Sequence, residues 1–411
     1  MTTERRNVLK KIGSSAAIAA NASLAARVAH AAGEIPVASI HDLSGGLDIY
    51  GKPMEDAMKL ATEEINSAGG LLGRKIRLIS YDSQSNMQQY TQFAQQAALK
   101  DKVAVVHGGI TSASREVIRP VLKRFNTLYF YNTQYEGGVC DRNTFCTGQT
   151  PAQNVEILMP FVMKKWGKKI FVVAADYNYG QITSDWVKKY TADNGGEVVN
   201  VDFFPLDVTQ FGPAIQKIQA AKPDVVLSAL VGGAHISFYR QWAAAGMKSK
   251  IPMCSTTFSG GNEHIVLSPE ESDGLVTAFS YFQAIENATN KAFVERWHKR
   301  FGSDYPYITE LAVATYQGMH LWALGVKKAG SIDRMKVIQA LESGIEYAGP
   351  SGRVTIDAAT HHCVLDIQIA EVRAKKMVVL ESYKQRKPID TAAVCNLIKN
   401  PNENKQFVIK I

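Results

Sequence analysis

Residues 103–115 read VAVVHGGITSASR, and this stretch decides the class of fold. Its first four residues are apolar and mostly β-branched, which predicts a short strand buried on both faces. Two glycines and three hydroxyl residues follow, and residues 117–125 then carry apolar side chains at helical spacing. A second apolar run, residues 128–131, comes next. A strand, a Gly-rich turn, a helix and another strand in this order predict a parallel α/β unit.

The same alternation extends toward the N-terminus. Residues 36–40 and 75–81 are predicted strands, and residues 54–68 and 90–99 are predicted helices. The first of these helices ends at Gly69-Gly70, a common helix stop. We therefore predict an α/β fold with a doubly wound parallel sheet that carries helices on both faces.

The later part of the chain repeats this pattern. Gly195-Gly196 follows a predicted helix as Gly69-Gly70 does, and the strand at 225–227 corresponds to the one at 103–105. The repeat predicts two similar doubly wound lobes, joined by a hinge of several crossovers, with a crevice between the carboxyl ends of their strands. The expected parts are residues 33–150 with 281–348 (N-terminal lobe), 151–280 with 349–385 (C-terminal lobe) and 386–411 (C-terminal tail).

The composition excludes several classes of protein. The 411 residues are 46% hydrophobic and 20% charged, typical of a globular protein and not of a disordered chain. No uninterrupted apolar run is long enough to span a membrane. The net charge of +8 leaves nucleic acid or an anionic membrane open as partners until the position of the charges is considered.

Half of that charge lies in the first 32 residues. Arg5, Arg6, Lys10 and Lys11 precede a stretch of small residues, and Ala29-His30-Ala31 is a cleavage site of the A-x-A type. This order predicts an export signal over residues 1–32 that is cleaved near Ala31, and the arginine pair resembles a twin-arginine signal. The remaining charge is small and scattered, so we expect no nucleic-acid partner and no membrane span.

Five cysteines are compatible with an oxidising compartment. Cys140 and Cys146 bracket a short polar loop that a disulfide would close, and Cys254 lies in an apolar run typical of a buried thiol. The sequence His361-His362-Cys363 is a poor metal site because zinc needs three or four converging ligands. We expect no metal and no cofactor.

Polar residues follow the predicted strands at the points where a crevice would open. Ser112 and Ser114 begin a helix, where a hydroxyl caps the helix and free N–H groups beside it receive a ligand oxygen. Tyrosines offer apolar walls with a polar tip, which suits the enclosure of a small polar molecule. Each of these residues is equally compatible with a cap or a surface loop when taken singly. The candidates after the strands are Ser112, Ser114, Tyr131, Thr133, Tyr177, Tyr179, Gly232 and Thr257.

Signatures of catalysis are absent from the sequence. It contains no G-x-S-x-G, no G-x-x-x-x-G-K-[ST] and no H-E-x-x-H, and no nucleophile–base pair follows from local spacing. The run Gly69-Gly70-Leu71-Leu72-Gly73 follows a helix and lacks dinucleotide-binding spacing. We expect a binding protein and not an enzyme.

Several segments resemble the solute-binding proteins of ABC importers, in the group that binds branched-chain amino acids, amides or urea. The resemblance covers nearly the whole chain after the leader. Residues 131–137 (YNTQYEG) with 111–115 (TSASR) are similar to the urea and short-chain-amide branch, although Ile110 and Asn132 stand where an aromatic residue and a proline are common. The supporting segments are 40–46 with Tyr50-Gly51, 64–76, 111–115, 131–137 and 176–179.

The resemblance implies a periplasmic protein with a type I periplasmic-binding fold that delivers a small polar ligand to a membrane permease and its ATPase. It also implies that Ser112, Tyr131, Thr133, Tyr177 and Tyr179 face the ligand, and Tyr50 in the opening segment joins the expected set.

Residues 255–258 (STTF) hold no acid where amino-acid binders of this group have a carboxylate. Since an ammonium is costly to bury without a counter-charge, a neutral ligand, urea or a short amide, is favoured. Glu136 or Asp176 would serve an amino acid, which is the alternative ligand. The sequence is also compatible with an amide-sensing regulator of the same fold or with an amide hydrolase.

Overall fold

The computed structural model describes residues 33–408. The export signal predicted for residues 1–32, with its cleavage site near Ala31, lies outside the described residues.

The first lobe is built on five parallel strands. They lie side by side in the order β2-β1-β3-β4-β6. The strands are β1 (Ile35–His41), β2 (Ile76–Asp82), β3 (Val105–Gly108), β4 (Leu128–Tyr131), the separate β5 (Val139–Asp141) and β6 (Thr144–Cys146). The helices are α1 (Asp48–Ser67), α2 (Met87–Leu99) and α3 (Ser112–Arg124).

The second lobe repeats this order as β8-β7-β9-β10-β11, again with parallel neighbours. Its strands are β7 (Lys169–Ala175), β8 (Glu197–Phe204), β9 (Val225–Ala229), β10 (Met253–Ser255) and β11 (Val276–Phe279). Its helices are α4 (Val155–Trp166), α5 (Asn178–Asp193), α6 (Gly212–Ala221), α7 (Gly233–Ala244), α8 (Glu263–Val266) and α9 (Pro269–Ser272). The predicted pair of doubly wound α/β lobes is confirmed.

The segment after β11 joins the two sheets. Strand β14 pairs in parallel with β6 at His362 and antiparallel with β11 along residues 368–371, so the strands form one mixed sheet. The antiparallel pairing differs from the predicted all-parallel sheet. Strand β15 also pairs antiparallel with β14, because a two-residue turn at Ala374-Lys375, both at positive φ, folds it back. The elements are α10 (Ala288–Phe301), α11 (Glu310–Ala329), α12 (Arg334–Glu342), β12 (Glu346–Gly349), β13 (Gly352–Asp357), β14 (His362–Arg373) and β15 (Lys376–Arg386). The residue boundaries proposed for the lobes stay a prediction.

The C-terminal tail packs on the first lobe. It contains α13 (Ile389–Ala392) and β16 (Asn404–Gln406), and β16 pairs antiparallel with β5. A disulfide joins Cys140 on β5 to Cys395.

The predicted Cys140–Cys146 bridge is therefore wrong. The two residues belong to different sheets, because β5 leaves the main sheet to pair with the tail while Cys146 ends β6 inside the core. Cys146, Cys254 and Cys363 are buried free thiols, as expected for Cys254.

The core lies on both faces of the sheets. Strands β3, β4, β9 and β11 are buried at every residue, which is why they read as continuous apolar runs. Helix α11 is buried around most of its circumference and packs against α1 and α12. The helices and strands therefore form a rigid frame that leaves the strand-end loops free to build a site.

Candidate functional site

A cavity opens where the carboxyl ends of the strands of the two lobes meet. The space between its walls, including the part open to solvent, is about 440 Å³. Seven of the nine residues predicted from the sequence line this cavity. They are Tyr50, Ser112, Tyr131, Thr133, Tyr177, Tyr179 and Thr257.

Ser114 and Gly232 are not among the lining residues, and each has a structural role beside the cavity. Ser114 Oγ accepts the Ile110 amide at 3.0 Å and donates to the Thr111 carbonyl at 2.8 Å, so it braces the turn before α3. The Gly232 amide donates to the Tyr50 hydroxyl at 3.0 Å. Both residues hold lining residues in place.

Five lining residues were not among the predicted set: Ile110, Gln134, Val231, Gly260 and Leu311. All of them except Leu311 lie in the same strand-end loops as predicted residues. A prediction that took each loop as a whole would have included them. Leu311 lies in the first turn of α11, far along the chain. An apolar residue on a helix carries no sequence signal for a ligand site.

Helix α3 brings Ser112 to the cavity. Thr111 caps the helix, since its side chain accepts the Ser114 amide at 3.0 Å. The turn before it requires Gly108, because a Cβ there would lie 2.3 Å from the Ile40 carbonyl oxygen. The Ser114 amide is taken up by this cap, whereas the amides of Ser112 and Ala113 precede the intrahelical ladder and are available to a ligand.

In the second lobe, helix α5 brings Tyr177 and Tyr179 to the cavity. It begins after Tyr177, and Gly180 packs so closely on β7 that a Cβ would lie 1.9 Å from the Ala175 carbonyl oxygen. Tyr177 and Tyr179 flank the start of the helix and line the cavity. Two helix N-termini, one from each lobe, therefore open on the cavity, and both supply N–H donors.

Most hydroxyls of the cavity wall share one orientation: they donate their protons into the protein. Three donate to backbone carbonyl oxygens, which cannot donate in return. These are Tyr131 to Ile110 (2.8 Å), Thr133 to Gly109 (3.2 Å) and Thr257 to Leu230 (2.7 Å).

Two more lining hydroxyls follow the same rule: Ser112 donates to a carboxylate oxygen of Glu136, and Tyr179 donates to the Thr256 hydroxyl at 2.9 Å. A hydroxyl whose proton is donated into the protein can meet a ligand only as an acceptor. The wall is thus rich in hydrogen-bond acceptors.

Tyr177 is the exception among the lining hydroxyls. Its hydroxyl makes no hydrogen bond with any residue from 33 to 408, and desolvation raises the pKa of Tyr177 well above its ordinary value. It therefore stays protonated and is free to donate to a ligand oxygen.

No lining side chain is charged. An ion pair, Arg115–Glu136, lies behind the lining residue Ser112; both of its side chains are fully buried, and Arg115 Nη2 lies 3.1 Å from Glu136 Oε1. The guanidinium also lies over the rings of Tyr131 and Tyr135, at 5.0 and 4.5 Å from their centroids. Glu136 is thus already neutralised behind the wall.

Hydrogen bonds of Tyr50 and Gln134 cross the cleft beside the cavity. The Tyr50 hydroxyl, from the first lobe, accepts the Gly232 amide at 3.0 Å and contacts Glu263 Oε1 at 3.5 Å, both in the second lobe. Gln134 Nε2 donates to the carbonyl oxygen of Thr256 at 2.7 Å. Burial raises the pKa of Glu263 to about 7. The lobes are held together around the cavity by these contacts.

Within residues 33–408, no group of three or more His, Cys, Asp or Glu side chains is placed to hold a metal ion. His361 contacts Glu342, and His362 contacts the Tyr135 hydroxyl. The helices of this same part of the chain are all too short or too polar to cross a membrane.

Known proteins share this architecture. A family model described as "Periplasmic binding protein domain" matches residues 35–395. The chain belongs to this family. Periplasmic binding proteins of this type are solute-binding components of ABC transporters, act in the periplasm and bind small ligands without converting them.

The relatives are of the Leu/Ile/Val-binding type. "Leu/Ile/Val-binding protein homolog 6" of Brucella melitensis is 25% identical over 356 residues, covering 85% of this chain and 90% of the relative. A solute-binding protein of an ABC transporter from Rhodopseudomonas palustris BisB5, solved with 3,4-dihydroxybenzoic acid, is 26% identical, with a TM-score of 0.77, and covers 86% of this chain and 98% of that one. By these comparisons the chain is similar to ABC-transporter solute-binding proteins of the Leu/Ile/Val-binding type.

A third similarity extends to the fold alone. The closed leucine-, isoleucine-, valine-, threonine- and alanine-binding protein of Brucella ovis is 19% identical, with a TM-score of 0.76, and covers 86% of this chain and 96% of that one. The relatives' names and bound molecules include amino acids and a benzoate. The ligand of this chain must therefore be argued from its own cavity.

Proposed function

We propose that this protein binds a small, neutral ligand rich in N–H groups, urea or a short-chain amide, and delivers it to a membrane permease with its ATPase. We further propose that the leader directs export and is cleaved near Ala31, so that binding takes place in the periplasm. The observation that carries the choice of ligand is the shared orientation of the wall hydroxyls.

An amide fits that orientation. Tyr131, Thr133 and Thr257 donate to backbone carbonyls and turn lone pairs toward the ligand, which suits amide N–H donors. The free Tyr177 hydroxyl and the first-turn amides of α3 and α5 supply donors for a single carbonyl oxygen. A carboxylate brings only acceptors, and its oxygens would meet the lone pairs of the wall unpaired.

The absence of charge among the lining side chains also favours a neutral ligand. An amino acid would bury an ammonium, yet Glu136 is already paired with Arg115 at 3.1 Å. Burying the ammonium without a free counter-charge is costly.

A small carboxylate is the second candidate. The two helix N-termini that open on the cavity favour an anion. The Rhodopseudomonas palustris relative was solved with 3,4-dihydroxybenzoic acid, which carries a carboxylate. The test must therefore compare ligands of the same shape that differ only in the amide or carboxylate group.

Calorimetric titration of the chain from residue 33 onward with matched pairs makes this comparison. The pairs are acetamide with acetate and benzamide with benzoate, and urea and leucine complete the set. We expect binding of urea or of an amide and at least tenfold weaker binding of the matching carboxylate. Tight binding of a carboxylate or of leucine, with no binding of any amide or urea, would refute the proposal.

A matched pair of variants tests the wall directly. Tyr131→Phe removes an acceptor from the cavity, and we expect amide affinity to fall about five- to tenfold, the usual effect of one lost hydrogen bond. Tyr129→Phe is the control, since its buried hydroxyl donates to the Gly108 carbonyl at 2.9 Å but does not line the cavity. Equal losses of affinity in both variants would point to destabilisation and not to ligand contact.

A further inference from the structure

The C-terminal tail reaches the ion pair behind the cavity wall. Gln406, at the end of β16, accepts a hydrogen bond from Arg115 Nη2 at 2.7 Å on its side-chain oxygen. Its side-chain nitrogen donates to the carbonyl oxygen of Gly137 at 2.7 Å. Because Gly137 directly follows Glu136, one amide side chain clamps both partners of the Arg115–Glu136 pair.

The tail is itself held firmly in this position. Strand β16 pairs with β5 at three successive residues, from Asn404 to Gln406. Arg119, one turn after Arg115 on α3, donates to the Asn404 side-chain oxygen. The disulfide from Cys395 to Cys140 anchors the segment that precedes the strand.

The ion pair acts on two residues of the cavity wall. Glu136 Oε1 receives Arg115, and Oε2 receives the hydroxyl proton of Ser112. The guanidinium of Arg115 lies over the ring of Tyr131. Both Ser112 and Tyr131 line the cavity, so the position of the pair determines which way the Ser112 proton points and where the Tyr131 ring lies.

We propose that Gln406, in a tail remote from the cavity in sequence, is a positioning residue for ligand selectivity: it holds Arg115 and Glu136 so that Ser112 presents an acceptor to the ligand. Without this clamp Glu136 shifts, and the Ser112 hydroxyl becomes free to rotate and donate into the cavity. The expected consequence is a specific loss of the preference for N–H donors over carboxylates. The role of Ser112 as a hydrogen-bond acceptor for the ligand rests on the proposed function. The contacts that lead from Gln406 through Arg115 and Glu136 to the cavity wall do not depend on it.

The test compares Gln406→Ala with Asn402→Ala in the whole chain. Asn402 is exposed, lies in the same tail and makes no side-chain hydrogen bond within residues 33–408. Glu136→Gln serves as a second perturbation of the same chain of contacts. Each variant is examined by hydrogen exchange without ligand and by calorimetry with acetamide and acetate.

Hydrogen exchange reports the connection without any ligand. We expect Gln406→Ala, and not Asn402→Ala, to speed exchange in residues 109–116 and 131–138. Unchanged exchange in both segments would overturn the proposal, whatever ligand the protein binds.

Calorimetry reports the role in selectivity. We expect the ratio of acetamide to acetate affinity to fall about fivefold in Gln406→Ala, the effect of one hydrogen bond, and at least as much in Glu136→Gln. A merely structural role would lower both affinities together, so an unchanged ratio with a lowered Tm would overturn the proposal. A wild type that prefers acetate refutes the proposed amide function alone, since faster exchange and a changed ratio in Gln406→Ala would still support the positioning role.

Discussion

Tyr50 is placed to report whether the two lobes close on the ligand. Its ring lines the cavity, while its hydroxyl points away to the second lobe, accepting the Gly232 amide at 3.0 Å and contacting Glu263 at 3.5 Å. Tyr50→Phe keeps the ring against the ligand and removes only these contacts across the cleft. The variant therefore separates closure from direct ligand contact.

The expected loss of ligand affinity in Tyr50→Phe follows from the burial of the Gly232 amide. In the closed form Gly232 is buried, so removing the hydroxyl leaves its N–H group without a partner, at a cost of about 1–3 kcal/mol. Opening of the lobes gives both Gly232 and Glu263 access to water, and the cost then falls on the closed form alone. Since ligand binding favours the closed form, affinity should fall roughly 5- to 150-fold.

Calorimetry and stopped-flow measurements on Tyr50→Phe test this expectation with whichever ligand the wild type binds. The loss should lie mainly in a faster dissociation rate, because the closed state is the one that is weakened. Tyr129→Phe is again the control, since its hydrogen bond to Gly108 lies within the first lobe. Unchanged affinity in Tyr50→Phe, or an equal loss in the control, would refute the role of Tyr50 in closure.

Three further outcomes are expected. Tyr177→Phe should weaken amide and carboxylate alike in calorimetry, because it removes a donor, and a loss for amides only would contradict this. Burial raises the pKa of Glu310 from 4.5 to about 7, so its contribution to stability is fully present below pH 4.5 and is lost as pH rises to 7. Glu310→Gln should therefore raise the free energy of unfolding at pH 8 by at most about 3 kcal/mol, which a higher Tm would report. At pH 4.5 the substitution should change Tm little. The Cys140–Cys395 bridge closes a loop of 255 residues, so reduction should lower stability by up to about 5 kcal/mol in chemical denaturation, and no change would contradict its formation.

Local sequence was enough to predict most of the fold. Buried parallel strands need apolar side chains on both faces, so β3, β4 and β9 appear as short apolar runs between helices. The repeat of that pattern predicted two lobes, and the strand orders of the two lobes agree with it. The antiparallel pairing of β14 was not predicted, because which strand lies next to another depends on contacts distant in sequence.

The candidate site was likewise predictable only in part from local sequence. Strand-end loops such as the one with Tyr131 and Thr133 were recognisable, since the carboxyl ends of parallel strands meet at one edge. Neither Leu311 nor the hydrogen bond that Arg115 donates to Gln406 had a local signal, because each is separated by a long stretch of chain from the residues it meets. The pairing of Cys140 with Cys395 was mispredicted for the same reason: proximity along the sequence favoured Cys146.

Sequence by itself thus determined the α/β class, the two-lobed repeat and the loops that line the candidate site, because these depend on the periodicity of apolar residues and on turn chemistry. Only the tertiary structure decided the direction in which the wall hydroxyls donate, the neutralisation of Glu136 by Arg115 and the attachment of the tail. A hydroxyl is both donor and acceptor, and which of the two a ligand meets depends on the partner the fold places behind it.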